Sequence, residues 1–421
     1  MNTAIFEKWE SEIRGYCRAY PTVFKTAENA RQTDEAGKEY IDFFAGAGVL
    51  NFGHNNPHMK EALIAYIQDN GVAHSLDMYT TAKRDFIESF VEHILEPRGM
   101  DHKLQFMGPT GTNAVEAALK LARRSTGRET VFAFSHGFHG MTLGALACTA
   151  NDYFRNASGV PLGYVHRLPF ETYCCAEGGK GCLKMLRAQL DDPSSGLKPP
   201  AAFIVEAIQA EGGVNVASAE WLKEVQQLAH DYGSLFIIDD IQAGCGRTGS
   251  YFSFDGMDLD PDIVCLAKGL GGFGTPIAMN MVKPEHDKHW NPGEHTGTFR
   301  GQNLSFVAGR EALKYFRDDK MMEEVTAKGK VMRECLEKVA EKYADHDLQV
   351  RGKGMMQAID MGEGALSKAI AKECFETGLL IGPCGTEGRV IKLIPPLTIP
   401  EEDLNTGLDL LVAAIDKVMK G

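Results

Sequence analysis

The 421-residue chain has few of the features that mark a protein for a membrane, for nucleic acid or for a disulfide scaffold. No apolar run approaches the roughly 20 residues that a bilayer-spanning helix needs, so no membrane association is expected. The N-terminus (MNTAIFEKWESEIR) has no apolar stretch of the kind a secretion signal carries, so a cytoplasmic protein is expected. Positive charge is in short supply. The 44 Lys and Arg face 57 Asp and Glu, a formal net charge of −13, which disfavours nucleic acid and anionic lipid as partners. The ten cysteines include no CxxC pair and no Cys/His spacing of a zinc site, so no metal centre is expected. Cys174, Cys175 and Cys182 form the one cluster, and we read them as loop and core thiols of a reducing compartment. Repeats and low-complexity linkers are missing too.

What is present is a 44% apolar composition, ample for a core, in a chain longer than one ordinary domain. Two short apolar runs, Leu104–Met107 and Val131–Phe134, flank a helical stretch from about Asn113 to Arg124. Val115, Ala118, Leu119 and Ala122 recur on it at helical spacing, and Gly127 follows its end. Asn113 and Glu116 read as a capping box at its start. Farther on, Phe203–Ile208 reads as a buried strand. A helix carrying Trp221, Leu222, Val225, Leu228 and Ala229 follows and stops at Gly233, and Leu235–Ile238 and Ile263–Leu266 are two more buried strands. This alternation predicts an α/β fold with a mostly parallel sheet covered by helices, whose ligands bind beyond the carboxyl ends of the strands.

Helical patterns dominate Ala308–Tyr343. The last helix starts at Pro400, with Glu401 and Glu402 in its first turn and Lys417 and Lys420 near its end, a charge order that suits the helix dipole. We therefore expect a large domain over residues 61–309 and a smaller α+β domain over 310–421. Residues 1–60 would join the small domain and the active-site entrance.

Two residues point to chemistry. Asp239 follows the apolar run LFII, and Lys268 follows IVCLA and precedes a glycine-rich turn. If the two strands are parallel neighbours, both side chains lie over one crevice. A lysine there can form an imine with an aldehyde cofactor, and an aspartate can keep a pyridine nitrogen protonated so that the ring accepts electrons. Thr110-Gly111-Thr112-Asn113, between a strand and a helix, would offer free backbone N–H groups and hydroxyls to a phosphate. Phe138, in the Phe138-His139-Gly140 stretch, could stack on a flat ring. Singly, each of these residues serves equally well as a cap, a core side chain or a solvated charge.

Together they resemble a family. Ile238–Gly249 (IDDIQAGCGRTG) followed by Ala267-Lys268-Gly269 is similar to the signature of class III aminotransferases, of fold type I. Gly53-His54, PTGTNAVE at 109–116, GFHG at 137–140, VEAIQAEGG at 205–213 and HTGTFRGQN at 295–303 extend the resemblance over essentially the whole chain. The resemblance implies pyridoxal 5′-phosphate as cofactor, with Lys268 as the imine-forming lysine and proton shuttle. It implies Asp239 for the pyridinium nitrogen, Gln242 for the ring 3′-oxygen, Gly111 and Thr112 for the phosphate, and Phe138 with its neighbour His139 around the ring. It implies that Thr298 reaches the phosphate of the other subunit, hence a homodimer as the minimal active unit, alone or within a larger homo-oligomer. Glu211 matches a glutamate that pairs with an arginine when no α-carboxylate is bound. The residues neither call for nor exclude a monovalent cation such as potassium.

The chain departs from the pattern twice. The usual Asp-Glu reads Asp239-Asp240, and Lys392 stands where many relatives have arginine. Lysine is a point charge without the bidentate fork, so a Glu211–Lys392 switch is expected to set substrate choice. Within the class, GAGVLNFGHNNP at 46–57 and the PTGTNAVE phosphate loop most resemble the diaminobutyrate transaminases of ectoine synthesis. These move the amino group of L-glutamate to L-aspartate 4-semialdehyde, giving L-2,4-diaminobutyrate and 2-oxoglutarate by a ping-pong exchange. A 4-aminobutyrate or ornithine transaminase, a semialdehyde aminomutase and a non-catalytic cofactor-binding protein are the alternatives.

Overall fold

Strands that are apolar at every position must be covered on both faces, and three of the central strands are of that kind. In the computed structural model, which describes residues 3–174 and 179–420, Val131–Phe134, Ala202–Val205, Leu235–Asp239 and Ile263–Leu266 are buried throughout. They belong to a seven-stranded sheet in the order Lys103–Phe106, Met279–Val282, Ile263–Leu266, Leu235–Asp239, Ala202–Val205, Val131–Phe134, Val165–Leu168. The last five are mutually parallel, and Met279–Val282 runs antiparallel between Lys103–Phe106 and Ile263–Leu266.

Side chains alternate across a strand, and the two faces fill separate cores accordingly. Phe132, Phe134, Phe203, Val205, Phe236, Ile238, Val264 and Leu266 share one cluster with Trp221, Leu222 and Val225 of the Ala219–Asp231 helix. Val131, Ala133, Ala202, Ile204, Leu235, Ile237, Ile263 and Cys265 face the other way. They pack against Ala114, Val115, Ala118, Leu119 and Ala122 of the Gly111–Thr126 helix, which ends on Gly127 at φ 69°.

A third cluster draws on both ends of the chain. Ala30, Ile41, Phe43, Phe52 and Met59 pack with residues from Ala312 to Ile415. The backbone makes the same join: Leu379–Leu380 adds a parallel strand to the N-terminal sheet Phe24–Glu28, Arg31–Asp34, Glu39–Asp42. A further antiparallel sheet holds Gln349–Lys353, Met356–Asp360, Val390–Leu393 and Gly382–Cys384, with Lys320–Lys342, Gly364–Thr377 and Glu401–Lys420 as its principal helices. Among the described residues no helix is long and apolar enough to cross a membrane.

Three sequence expectations need correction. The strand expected over Phe203–Ile208 stops at Val205 and resumes only as the short Ile208–Gln209 strand of a separate two-stranded sheet, because the chain leaves the central sheet at Glu206. The capping box does not form. The helix begins at Gly111 with Thr110 as its N-cap, so Asn113 lies inside the first turn and donates to the Thr110 hydroxyl. Glu116 instead accepts from Thr142 Oγ1 and the Ala145 N–H. Cys174 and Cys182 are not thiols but a disulfide, their Cα atoms 6.2 Å apart and thus within bridging range; Cys175 lies outside the described residues.

Candidate active site

The register of the central sheet brings three ionisable side chains to one rim. Ile238 lies beside both Val205 and Val264, so Glu206 and Asp239 end neighbouring parallel strands, and Lys268 follows the end of the third. With Gly111, Thr112, Phe138, His139, Glu211, Ile241 and Gln242 they line a cavity of about 250 Å³. The sheet thus brings together every site residue expected from sequence except Thr298 and Lys392. Thr298 is exposed on the segment between the Pro284–Asp287 and Asn303–Leu313 helices and is not part of this cavity wall. Lys392 stands behind the cavity and reaches it through Glu211 and Gln242.

Lys268 adopts φ 49°, left-handed for a side-chain-bearing residue, as it starts a tight turn over Lys268–Gly271. Burial lowers its amine to about 8, against the opposing pull of Glu211 and Asp239. A larger neutral fraction near neutral pH suits an amine that must act as nucleophile and base. Asp239 is pinned from two sides: His139 Nδ1 lies 2.8 Å from Oδ2, and the Ile241 N–H donates to Oδ1. Its neighbour Asp240 points elsewhere, taking hydrogen bonds from the Ser253 N–H and hydroxyl in a buried setting that pushes it up to about 8. The Asp-for-Glu departure therefore falls on a residue that serves the Ser253 loop, not the cavity.

Across the cavity, Gly111 and Thr112 are the first two residues of a helix, whose N–H groups have no intrahelical acceptor and so suit an anion. A Cβ at Gly111 would meet the Ile241 side chain at 3.0 Å, so any larger residue there would press on the cavity wall. The Thr112 hydroxyl is already shared with Thr142 at 2.7 Å, so the backbone is the main donor.

The remaining wall is assembled from distant parts of the chain. Lys392, 2% exposed on the Val390–Leu393 strand, pairs directly with Glu211 Oε1. Gln242 completes the group: its Nε2 donates to Glu211 Oε1 at 3.1 Å and to the Ala47 carbonyl at 2.7 Å, and its Oε1 accepts from Lys392 at 3.3 Å. Lys392 and Lys268 hold the Glu211 carboxyl down at about 2 despite burial, and Lys392 is raised in return.

Three contributors were missed in the sequence. Glu206 lies in a stretch already noted for its similarity to the family, yet carried no assigned role; a lone charge inside an otherwise apolar run was the usable signal. Ala47 presents its carbonyl from a turn in which Ala45, Gly46, Ala47 and Gly48 all have positive φ, and no hydrophobic pattern announces that. Tyr16 lies close enough to feel the pair: burial raises its hydroxyl, Glu211 adds to the rise and Lys392 opposes it.

The donor set fits a pyridine aldehyde phosphate: an amine for the aldehyde, a carboxylate for the ring nitrogen, an aromatic for the ring face and a helix start for the phosphate. A family model described as aminotransferase class-III matches residues 16–415. The diaminobutyrate–2-oxoglutarate transaminase of Bordetella parapertussis is 49% identical over 417 residues, covering 99% of this chain and 95% of that protein. The protein of the same name from Halomonas elongata is 49% identical over 415 residues, 98% of each chain. Among solved structures, an ornithine aminotransferase from Toxoplasma gondii ME49 has a TM-score of 0.86 at 27% identity, covering 99% of this chain and 94% of that one.

Proposed function

The chain belongs to the class-III aminotransferases, and from that premise we propose that it transfers the amino group of L-glutamate to L-aspartate 4-semialdehyde, forming L-2,4-diaminobutyrate and 2-oxoglutarate. It is a pyridoxal-phosphate enzyme of fold type I. The observation that carries the substrate reading is near-full-length similarity to several diaminobutyrate transaminases at 45–49% identity. Ectoine synthesis, a route to a compatible solute under osmotic stress, is the setting this reading implies.

When bound, pyridoxal phosphate supplies an aldehyde that condenses with amines and a cationic ring that accepts the electrons of the broken Cα–H bond. The residues divide the rest. Lys268 would hold the aldehyde end and, once displaced by the substrate amine, take the Cα proton and deliver it to C4′. Asp239, oriented by His139, would keep the ring nitrogen protonated. Gly111 and Thr112 would bind the phosphate and Phe138 would cover one ring face. Gln242 would turn to the ring 3′-oxygen the hydrogen it now gives Glu211.

The two half-reactions differ in where a carboxylate lies. Glutamate carries one on the reacting carbon; the semialdehyde carries its carboxylate far from the reacting aldehyde. Lys392 would take the near carboxylate when Glu211 swings aside, and Glu211 would neutralise Lys392 when no near carboxylate is present. Thr298 would serve the cavity of a partner in a homodimer or larger homo-oligomer; the exposed Phe299 next to it, and the nearly bare Tyr79 on the segment that Arg300 joins through Asp77, support such a contact. We also read residues 61–309 as the large domain and 310–421 with 1–60 as the smaller one, a division supported by the separate core that Ala30–Met59 and Ala312–Ile415 build.

Steady-state assays of the purified protein with 2-oxoglutarate and diaminobutyrate, 4-aminobutyrate or ornithine as donor test the substrate. Diaminobutyrate is expected to lead in kcat/KM by about 10²-fold, the discrimination a site built for polar groups attains with ease. A higher value for either other donor would replace this reading with that of the favoured ω-amine transaminase.

A further inference from the structure

Glu206 occupies the cavity rim with no task in the scheme above. It is 6% exposed, ends the strand beside Asp239, and makes one hydrogen bond among the described residues: its Oε1 accepts the Phe138 N–H at 2.8 Å. Phe138 sits in the connection that follows the Val131–Phe134 strand, which turns through His136 at φ 62°. Its two neighbours in that connection are fixed by other means. The Gly137 N–H donates back to the Phe134 carbonyl, and the His139 N–H donates to Thr149 Oγ1 at 2.9 Å. Phe138 itself is held by Glu206. Its half-buried ring lines both the 250 Å³ cavity and an adjoining cavity of about 490 Å³, and it meets Phe154 edge-on at 5.4 Å. A shift of the 138 backbone would move the partition between the two.

We infer that Glu206 is a positioning residue that sets the height of the Phe138 ring over the cofactor site by accepting the Phe138 amide hydrogen. The inference rests on the reading of Phe138 as the ring-stacking aromatic. It is the acceptor oxygen and its reach from the strand end that matter, not a negative charge. Burial, with Asp239 pushing the same way, raises the Glu206 carboxyl well above the usual range, so a neutral side chain of the same length is a faithful substitute. The shorter aspartate, with the same carboxyl group, cannot span the gap.

The test is a set of holoenzyme variants read by kcat, by the visible circular dichroism of the bound cofactor and by its release rate on dialysis. Glu206→Gln should match the parent in all three. Glu206→Ala and Glu206→Asp should lose about 10- to 100-fold in kcat, the scale of one buried hydrogen bond, with altered dichroism. In a Phe138→Ala background the Glu206→Ala change should cost less than about 3-fold, because the ring it positions is gone. Three results would overturn the inference. Gln as damaging as Ala means the charge is what counts. An undiminished Ala penalty without the Phe138 ring means Glu206 acts by another route. A silent Phe138→Ala removes the stacking reading itself, and the inference with it.

Discussion

Lys268, Asp239 and Glu206 reach the cavity from the ends of three neighbouring parallel strands, whereas Glu211, Gln242 and Lys392 reach it from a turn, a loop and a strand of another sheet. The first wall is tied to a buried sheet whose register leaves no freedom. The second is held by one ion pair and two amide contacts among side chains, arrangements that a ligand of the right charge can exchange. In the proposed reaction, the chemistry common to both half-reactions would fall on Lys268 and Asp239 of the rigid wall and the choice between carboxylates on the exchangeable one.

Substitutions on the two walls should therefore fail differently. On the rigid wall, Asp239→Ala should lower kcat with both substrates alike, by about 10²–10³-fold, the cost of removing one preorganised charged group from a reacting site. A loss confined to one substrate would dissolve the distinction. On the exchangeable wall, Lys392→Met should raise KM for glutamate by about 10²-fold, the scale of one buried charge contact, and change it far less for the semialdehyde. Unchanged Michaelis constants for both would remove the switch.

The same pair sets an acid limit. The Glu211 carboxyl is held at about 2 against an ordinary 4.5, so its contribution is complete above pH 4.5 and is lost as pH falls toward 2. The stability gap between the parent and Lys392→Met should narrow over that window, because Lys392 is the largest of the pulls that hold Glu211 down. Urea unfolding at graded pH reads it; a gap that widens on acidification would rule out the Glu211–Lys392 pair as its source. Outside both walls, Cys174→Ser with Cys182→Ser should lower stability by about 2–3 kcal/mol through a nine-residue loop, with little change in kcat. Alkylation of the unfolded, unreduced protein should spare both cysteines.

The rigid wall was the more legible one. Asp239 and Lys268 follow apolar runs, and an apolar run that ends in a charge reads as a strand meeting a crevice. Glu206 was hidden by the apolar Ala207 and Ile208 after it, which prolonged the apparent strand past the point where the backbone leaves the sheet. The exchangeable wall was legible only through resemblance. Lys392 sits in an apolar strand, and its partner is 181 residues away, a pairing that no local pattern encodes. Ala47 depends on a left-handed turn, which is a matter of backbone angles. The Cys174–Cys182 bond escaped because spacing and compartment argued for free thiols, whereas pairing is decided by whether the fold brings the two Cα atoms into range.

The central claim, that the cofactor is held by the lysine at the end of the Ile263–Leu266 strand, has a direct test. Borohydride treatment of the purified holoenzyme fixes the cofactor to whichever lysine holds it, and peptide mass spectrometry then locates the added mass. That mass is expected on the peptide containing Lys268. The same mass on any other lysine, or no covalent attachment at all, would contradict it.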